Sequence, residues 1–296
     1  MAAAILTEGL SKYYGKTPGI VDLDLEVRIG EVFGFLGPNG AGKTTTIRTL
    51  LDLMHPTGGR ATILGLDTRV DSVEIRRRTG YLPAELELYE GMTGRELAFY
   101  FGSLRDFDGW DRVGALAERL EFDLDQKIGS YSSGTRQKIG IVQAFMHEPE
   151  LLILDEPTIA LDPLMQQEFY RMIDEVRAAG RTVFLSSHNL PVVERLADRV
   201  GIVRRSRLVV IEETEILKAK ARRRLSLTFA EPVVPDSFRG LLGVLEVRSN
   251  QDGRFIEVVV EGSVDQVLKE ASGHEIQNVV THEGDLEDAF LAYYRD

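Results

Sequence analysis

Between the apolar run Val32–Leu36 and an apolar helical pattern over residues 42–53 stands the octapeptide GPNGAGKT, residues 37–44. A glycine-rich loop at this spacing, set between a strand and a helix, leaves backbone N–H groups free to wrap phosphate oxygens. In that cradle Gly37, Pro38, Asn39, Gly40, Ala41 and Gly42 form the loop, and Lys43 reaches toward the outer phosphates. Thr44 can offer its hydroxyl to Mg²⁺, and Thr45 continues the first helical turn. The positive end of the helix adds to the attraction. The alternative, an ordinary glycine-rich turn, is the weaker reading; the motif points to a nucleoside triphosphate.

The surrounding pattern predicts an α/β fold with a mostly parallel sheet. Residues 4–10, 22–29 and 31–36 read as strands, with Leu23, Leu25, Val27 and Ile29 facing inward, and they suggest an antiparallel flank beside a parallel core. Residues 84–146 read as a mostly helical subdomain in which Phe99, Tyr100, Phe101, Phe107 and Trp110 pack as core. Leu151 to Leu154 form a continuous apolar run ending in Asp155 and Glu156, which suits a strand buried on both faces with acids at its carboxyl end. A helix over 163–179 and strands over 181–186 and 200–203 complete a βαβ pattern. Five basic residues within 218–224 mark a domain boundary, giving domains 1–220 and 221–296. The arginines at 222–224 read as a solvated helix end. Beyond it, the order βαββαβ with a last helix from Leu286 fits a ferredoxin-like α+β sandwich.

Composition narrows the partners. No window approaches the roughly 18 apolar residues of a membrane span, so work in a membrane requires a partner chain. No secretory signal is read at the start, and with no cysteines there are neither disulfides nor thiolate metal sites, which fits the cytosol. A net charge of −12, with 8 basic and 14 acidic residues in 221–296, disfavours nucleic acid.

Further motifs join the phosphate loop: Gly80-Tyr81-Leu82-Pro83, Tyr131-Ser132-Ser133-Gly134 with Arg136-Gln137, LLILDEPT, Ala160-Leu161-Asp162, and His188. In this order and spacing, residues 4 to about 215 resemble the ATP-binding cassette (ABC) family. The resemblance implies ATP and Mg²⁺ as ligands, with Asp155 and Thr44 on the metal, Glu156 polarising the attacking water, His188 on the γ-phosphate, and Lys43 in the catalytic set. It implies that Tyr14, rather than its neighbour Tyr13, stacks on adenine. It further implies that Ser132, Ser133, Gly134 and Asp162 serve a site shared between two cassettes, so a homodimer or heterodimer turns over ATP.

Three departures stand out. Ala84 followed by Glu85 replaces the usual glutamine, and Glu85 is either a metal or water contact or a surface acid. Ser133 and Thr135 replace the usual second glycine and glutamine of the signature, and Ile159 and Ala160 replace a small polar residue and glycine. The motifs and the C-terminal domain look like those of subunits serving drug, lipid or antibiotic export permeases. The expected function is therefore a peripheral ATPase on the cytoplasmic face of the membrane, driving a separate permease docked at residues 84–108. The alternatives are a soluble non-transport cassette and a weakly hydrolysing regulatory subunit.

Overall fold

The computed structural model describes residues 3–105, 107–220 and 222–282. Its contacts divide the chain into two units, 1–211 and 212–296.

The first unit begins with β1 (Ala3–Tyr14), β2 (Thr17–Arg28), β3 (Val32–Leu36), α1 (Lys43–Leu50), β4 (Gly58–Ile63), β5 (Leu66–Asp67), α2 (Ser72–Arg78) and β6 (Thr79–Leu82). It continues with α3 (Gly94–Ser103), α4 (Trp110–Arg119), a 3₁₀ turn at Ile128–Ser130, α5 (Ser133–Phe145), β7 (Leu151–Asp155), α6 (Pro163–Ala178), β8 (Thr182–Ser187), α7 (Leu190–Leu196), β9 (Arg199–Arg204) and β10 (Arg207–Glu213). An antiparallel sheet runs β2-β1-β4-β5, and a larger sheet runs β10-β9-β3-β8-β7-β6. Within the larger sheet, β9, β3, β8, β7 and β6 pair in parallel.

The central strands β3, β7 and β8 are buried at every position because both of their faces are covered. Leu152, Leu154, Val183 and Leu185 enter the core shared with the helical subdomain, α6 and α7. Their neighbours Leu151, Ile153 and Phe184 point the other way, into the core shared with α1 and the antiparallel sheet. There Phe33 and Phe184 stack with centroids 5.9 Å apart, a geometry that adds about 1 kcal/mol to their burial.

Gly80 shows how tightly β6 sits against α5. A Cβ at this position would lie 2.1 Å from the Ala144 carbonyl oxygen and 2.7 Å from Leu152. Gly80→Ala is expected to destabilise the first unit by roughly 1–3 kcal/mol through overpacking, read as a lower thermal unfolding midpoint. An unchanged midpoint would contradict this packing.

The second unit contains α8 (Thr214–Lys220), β11 (Arg222–Phe229), α9 (Asp236–Arg239), β12 (Val244–Ser249), β13 (Phe255–Glu261), α10 (Asp265–Ala271) and β14 (Ile276–His282). Its strand order, β12-β13-β11-β14 with antiparallel neighbours, is that of a ferredoxin-like sandwich. Leu225, Leu227 and Phe229 alternate toward one face with Ile256, Val258 and Val260, where Phe238, Val267 and Ala271 cover them.

Three expectations need correction, and a fourth cannot be compared. Ile29 is 54% exposed, because β2 ends at Arg28 and the inward alternation stops with it. Residues 222–224 open strand β11 instead of ending a helix. The stretch 84–146 is mostly helical as expected, with α3, α4 and α5 joined by loops, but its aromatic residues do not all pack as core. Within it Phe99 is 60% exposed and stacks on Trp110 at 5.0 Å, so this pair forms a surface aromatic cluster, whereas Phe101 and Phe107 do pack on the core. The helix expected from Leu286 lies outside the described residues.

Candidate functional site

The phosphate loop leaves β3 at Leu36 and enters α1 at Lys43. Gly42 takes φ 108°, and a Cβ there would lie 2.3 Å from the Gly19 carbonyl oxygen, so only glycine permits this turn. No side chain caps α1, which leaves its first-turn N–H groups for an incoming anion.

Lys43 is buried, and its Nζ donates to the Gly37 carbonyl at 2.6 Å while lying 3.2 Å from Glu156 Oε1. Thr44 Oγ1 donates to Asp155 Oδ2 at 2.8 Å, and the Ser186 hydroxyl donates to Asp155 Oδ1. Complete burial pushes the Asp155 carboxyl upward, and the two hydroxyl donors oppose that shift by stabilising the carboxylate.

Glu156 takes a left-handed φ of 51°, which turns it off the end of β7 into the cleft. Backbone strain of this kind concentrates at functional sites. Its Oε1 lies 2.9 Å from His188 Nδ1 and 3.2 Å from Lys43 Nζ. Neither contact meets hydrogen-bond geometry, so this buried oxygen is left without a hydrogen-bond partner. A buried carboxylate oxygen in that state is suited to accept a proton from a water or hydroxyl placed before it.

These groups line a cleft of about 530 Å³. Pro38, Asn39, Gly40, Gly42, Lys43, Thr44 and Thr45 line it together with Glu156 and His188. Ala84 and the exposed Glu85 also border it. Tyr14 stands at the rim, 48% exposed, its hydroxyl 3.2 Å from Thr45 Oγ1 and 3.0 Å from Met54 Sδ. Lys12 Nζ lies 5.8 Å from the centre of the Tyr14 ring and donates to the His55 carbonyl.

Ser132, Gly134 and Asp162 lie outside this cleft. Ser132 caps α5 by accepting from Thr135 N, and Asp162 caps α6 by accepting from the N–H groups of Leu164 and Met165. The two loops meet each other: a Cβ on Gly134 would lie 2.9 Å from the Ala160 carbonyl oxygen. Ala160 itself holds φ 61°, a left-handed conformation that favours glycine.

Residues 20–159 match the family model described as ABC transporter. The chain is 33% identical to the bacitracin transport ATP-binding protein BcrA of Bacillus licheniformis, across 98% of this chain and 97% of that protein. The chain belongs to the ABC transporter family. It is an ATP-binding and ATP-hydrolysing subunit within it. It is also 30% identical to the linearmycin resistance ATP-binding protein LnrL of Bacillus subtilis (strain 168), across 96% of each chain. A solved ATP-binding subunit of an ABC transporter superposes with a TM-score of 0.68 at 31% identity, covering 73% of this chain and 92% of that one. The dimeric cassette MJ0796 bound to ADP and phosphate shares the fold, with a TM-score of 0.66 at 20% identity, covering 71% of this chain and 98% of that one.

Against that family, the cleft brings together Tyr14, the phosphate loop, Glu156 and His188, and it holds Asp155 through Thr44. Ser132, Ser133, Gly134 and Asp162 are not among the residues that line it. Sequence reasoning passed over Thr17, Pro18 and Gly19, which line the cleft next to Tyr14, and Ser186 and Ser187, which hold the two acids. A signal for the serines was present: two hydroxyl residues close an otherwise apolar strand directly alongside the strand that ends in Asp155. The residues near Tyr14 carry no such signal, because β2 brings them there through pairing with β1.

Tyr14→Ala is expected to weaken ATP binding by roughly three- to ten-fold, the worth of one aromatic stack, with little change in maximal rate. Tyr13→Ala, outside the cleft lining, serves as the control. Equal losses in a nucleotide titration would shift the base-stacking role away from Tyr14.

Proposed function

We propose that this chain pairs with a second copy of itself on ATP and drives a separate membrane permease from its cytoplasmic face, as the motor of an exporter. The observation that carries the reading is the division of the site. Glu156 Oε1 waits without a hydrogen bond in a cleft that contains the phosphate loop, while the signature Ser132–Gly134 and Asp162 lie elsewhere. A single chain therefore presents two halves of a site that do not meet. A second cassette, turned to set its signature against this phosphate loop, completes both halves at once.

In this reading Glu156 accepts the proton of the attacking water, His188 holds the γ-phosphate side of the cleft, and Lys43 transfers its charge from the Gly37 carbonyl to the phosphates. Tyr14 stacks on the base, and Ser132, Ser133, Gly134 and Asp162 act on the partner's nucleotide. One carboxylate beside one hydroxyl, 2.8 Å apart, fits Mg²⁺, which takes few protein ligands and completes its shell with phosphate oxygens and water. Thr44 and Asp155 would hold it, and Glu85 borders the same cleft as a further acid. When bound, the metal neutralises developing charge on the transferred phosphoryl group.

No helix among the described residues is long and apolar enough to cross a membrane, and in this reading the permease that carries the cargo is a separate chain. Relatives named for bacitracin transport and linearmycin resistance support export of antibiotic-like molecules. The segment 84–108 is the surface offered to the permease, and the second unit serves as an accessory regulatory domain.

The test is affinity purification from native membranes followed by a steady-state phosphate-release assay. Co-purification of a polytopic membrane protein with ATP turnover supports the reading. A chain that stays free of membrane protein, or a complex that releases no phosphate, overturns it.

A further inference from the structure

Strand β8 ends in two serines that stand beside different neighbours. Ser186 is level with Asp155 on β7, and Ser187 is level with Leu36 on β3, the residue from which the phosphate loop departs. Ser187 is 1% exposed, so its polar atoms depend on partners within the protein.

Those partners belong to three parts of the nucleotide site. The Ser187 carbonyl accepts from the Gly37 N–H at 3.3 Å, at the first residue of the phosphate loop. Its hydroxyl oxygen accepts from the Asn189 N–H at 2.9 Å, just past His188. The same hydroxyl donates to Glu156 Oε2 at 3.4 Å. A serine hydroxyl carries a single proton, and with Asn189 occupying a lone pair that proton is directed to the carboxylate. The Glu156 backbone is held by the same strand, its N–H donating to the Ser186 carbonyl at 3.1 Å.

This contact sets the attitude of the carboxylate. Among the described residues it is the one hydrogen bond that the Glu156 side chain receives, because Oε1 has none. Lys43 Nζ lies only 3.2 Å from Oε1, yet the pair misses hydrogen-bond geometry. A carboxylate free to rotate would complete a charge-assisted bond to that lysine, and would thereby occupy both the oxygen needed as base and the cation needed for phosphate. Fixing Oε2 opposes that turn.

We propose that Ser187 is a positioning residue for hydrolysis, anchoring Oε2 of Glu156 so that Oε1 faces the attacking water and stays disengaged from Lys43. The proposal rests on the reading of Glu156 as the base and adds the group that holds it in register with the phosphate loop.

The experiment measures phosphate release, KM for ATP and thermal unfolding for the full-length chain purified with its membrane partner. Wild type, Ser187→Ala and Ser187→Thr are compared, each with Glu156 and with Glu156→Gln. Misplacing a reacting atom by about 1 Å costs up to about 10²-fold, so Ser187→Ala is expected to lower kcat by roughly 10- to 100-fold while KM stays within about two-fold. Ser187→Thr keeps the hydroxyl and should remain within about three-fold of wild type. In the Glu156→Gln background Ser187→Ala should add less than about two-fold, since both changes act through one carboxylate.

Turnover of Ser187→Ala within about two-fold of wild type overturns the proposal. A loss carried by KM, or one of equal size in the Glu156→Gln background, also overturns it, by giving Ser187 a role separate from the base. So does a Ser187→Thr chain that unfolds like wild type but turns over like Ser187→Ala. Undiminished turnover in Glu156→Gln alone counts against the reading of Glu156 as base instead.

Discussion

Glu156→Gln is expected to retain ATP binding and lose phosphate release by roughly 10²–10⁴-fold, the contribution of a positioned general base. Glutamine keeps the shape of the side chain, so Lys43 keeps its bond to the Gly37 carbonyl and the phosphate loop keeps its form. What disappears is the proton-accepting oxygen held near His188 and Lys43. With binding intact and hydrolysis stopped, the ATP-bound pair should accumulate. Turnover in this variant within ten-fold of wild type would remove Glu156 from the role of base.

Lys43→Met should fail in the opposite place. A charge-assisted hydrogen bond is worth about 1.5–3 kcal/mol, so its loss should weaken ATP binding by roughly 10- to 150-fold. The substitution also strands Glu156, only 8% exposed, without the cation 3.2 Å away. Leaving a buried carboxylate unpaired is strongly destabilising, and the nucleotide-free protein should unfold at lower temperature than wild type. The combination Lys43→Met with Glu156→Gln removes both charges and should recover much of that stability without recovering ATP binding. Additive destabilisation in the double variant would show that the two side chains do not interact as their distance indicates.

These contrasting outcomes follow from residues that were legible in different degrees. The phosphate loop, Asp155, Glu156 and His188 could be read directly because each sits at a strand end, where a buried apolar run gives way abruptly to polar side chains. The same logic read the parallel core, since Leu151 to Leu154 must be covered on both faces. The second unit was legible from its alternation, with Leu225, Leu227 and Phe229 against Ile256, Val258 and Val260.

Other features are set by tertiary contacts and leave little local trace. Strand β6, which carries Gly80, is too short to announce itself and exists through its pairing with β7. Phe99 and Trp110 look like core residues by type, yet they face outward and stack on each other. A pair of adjoining cavities walled by Arg76, Arg105 and Gln143 draws on five separate elements, so no spacing in the chain could have revealed it. Ala160 is the converse case: the departure from glycine was visible in the sequence, and only the backbone shows that the position retains the left-handed φ that glycine would favour.

The central claim is that a second copy of this chain closes the nucleotide site, and the absence of native cysteine makes a direct measurement simple. In a Glu156→Gln background, Asn39→Cys places a thiol at the phosphate loop and Ser133→Cys places one in the signature. Treatment with a short bis-maleimide should give an intermolecular product of doubled mass with ATP, little without it, and none when either cysteine is omitted. Failure to form that product at saturating ATP, with nucleotide bound, would contradict the account.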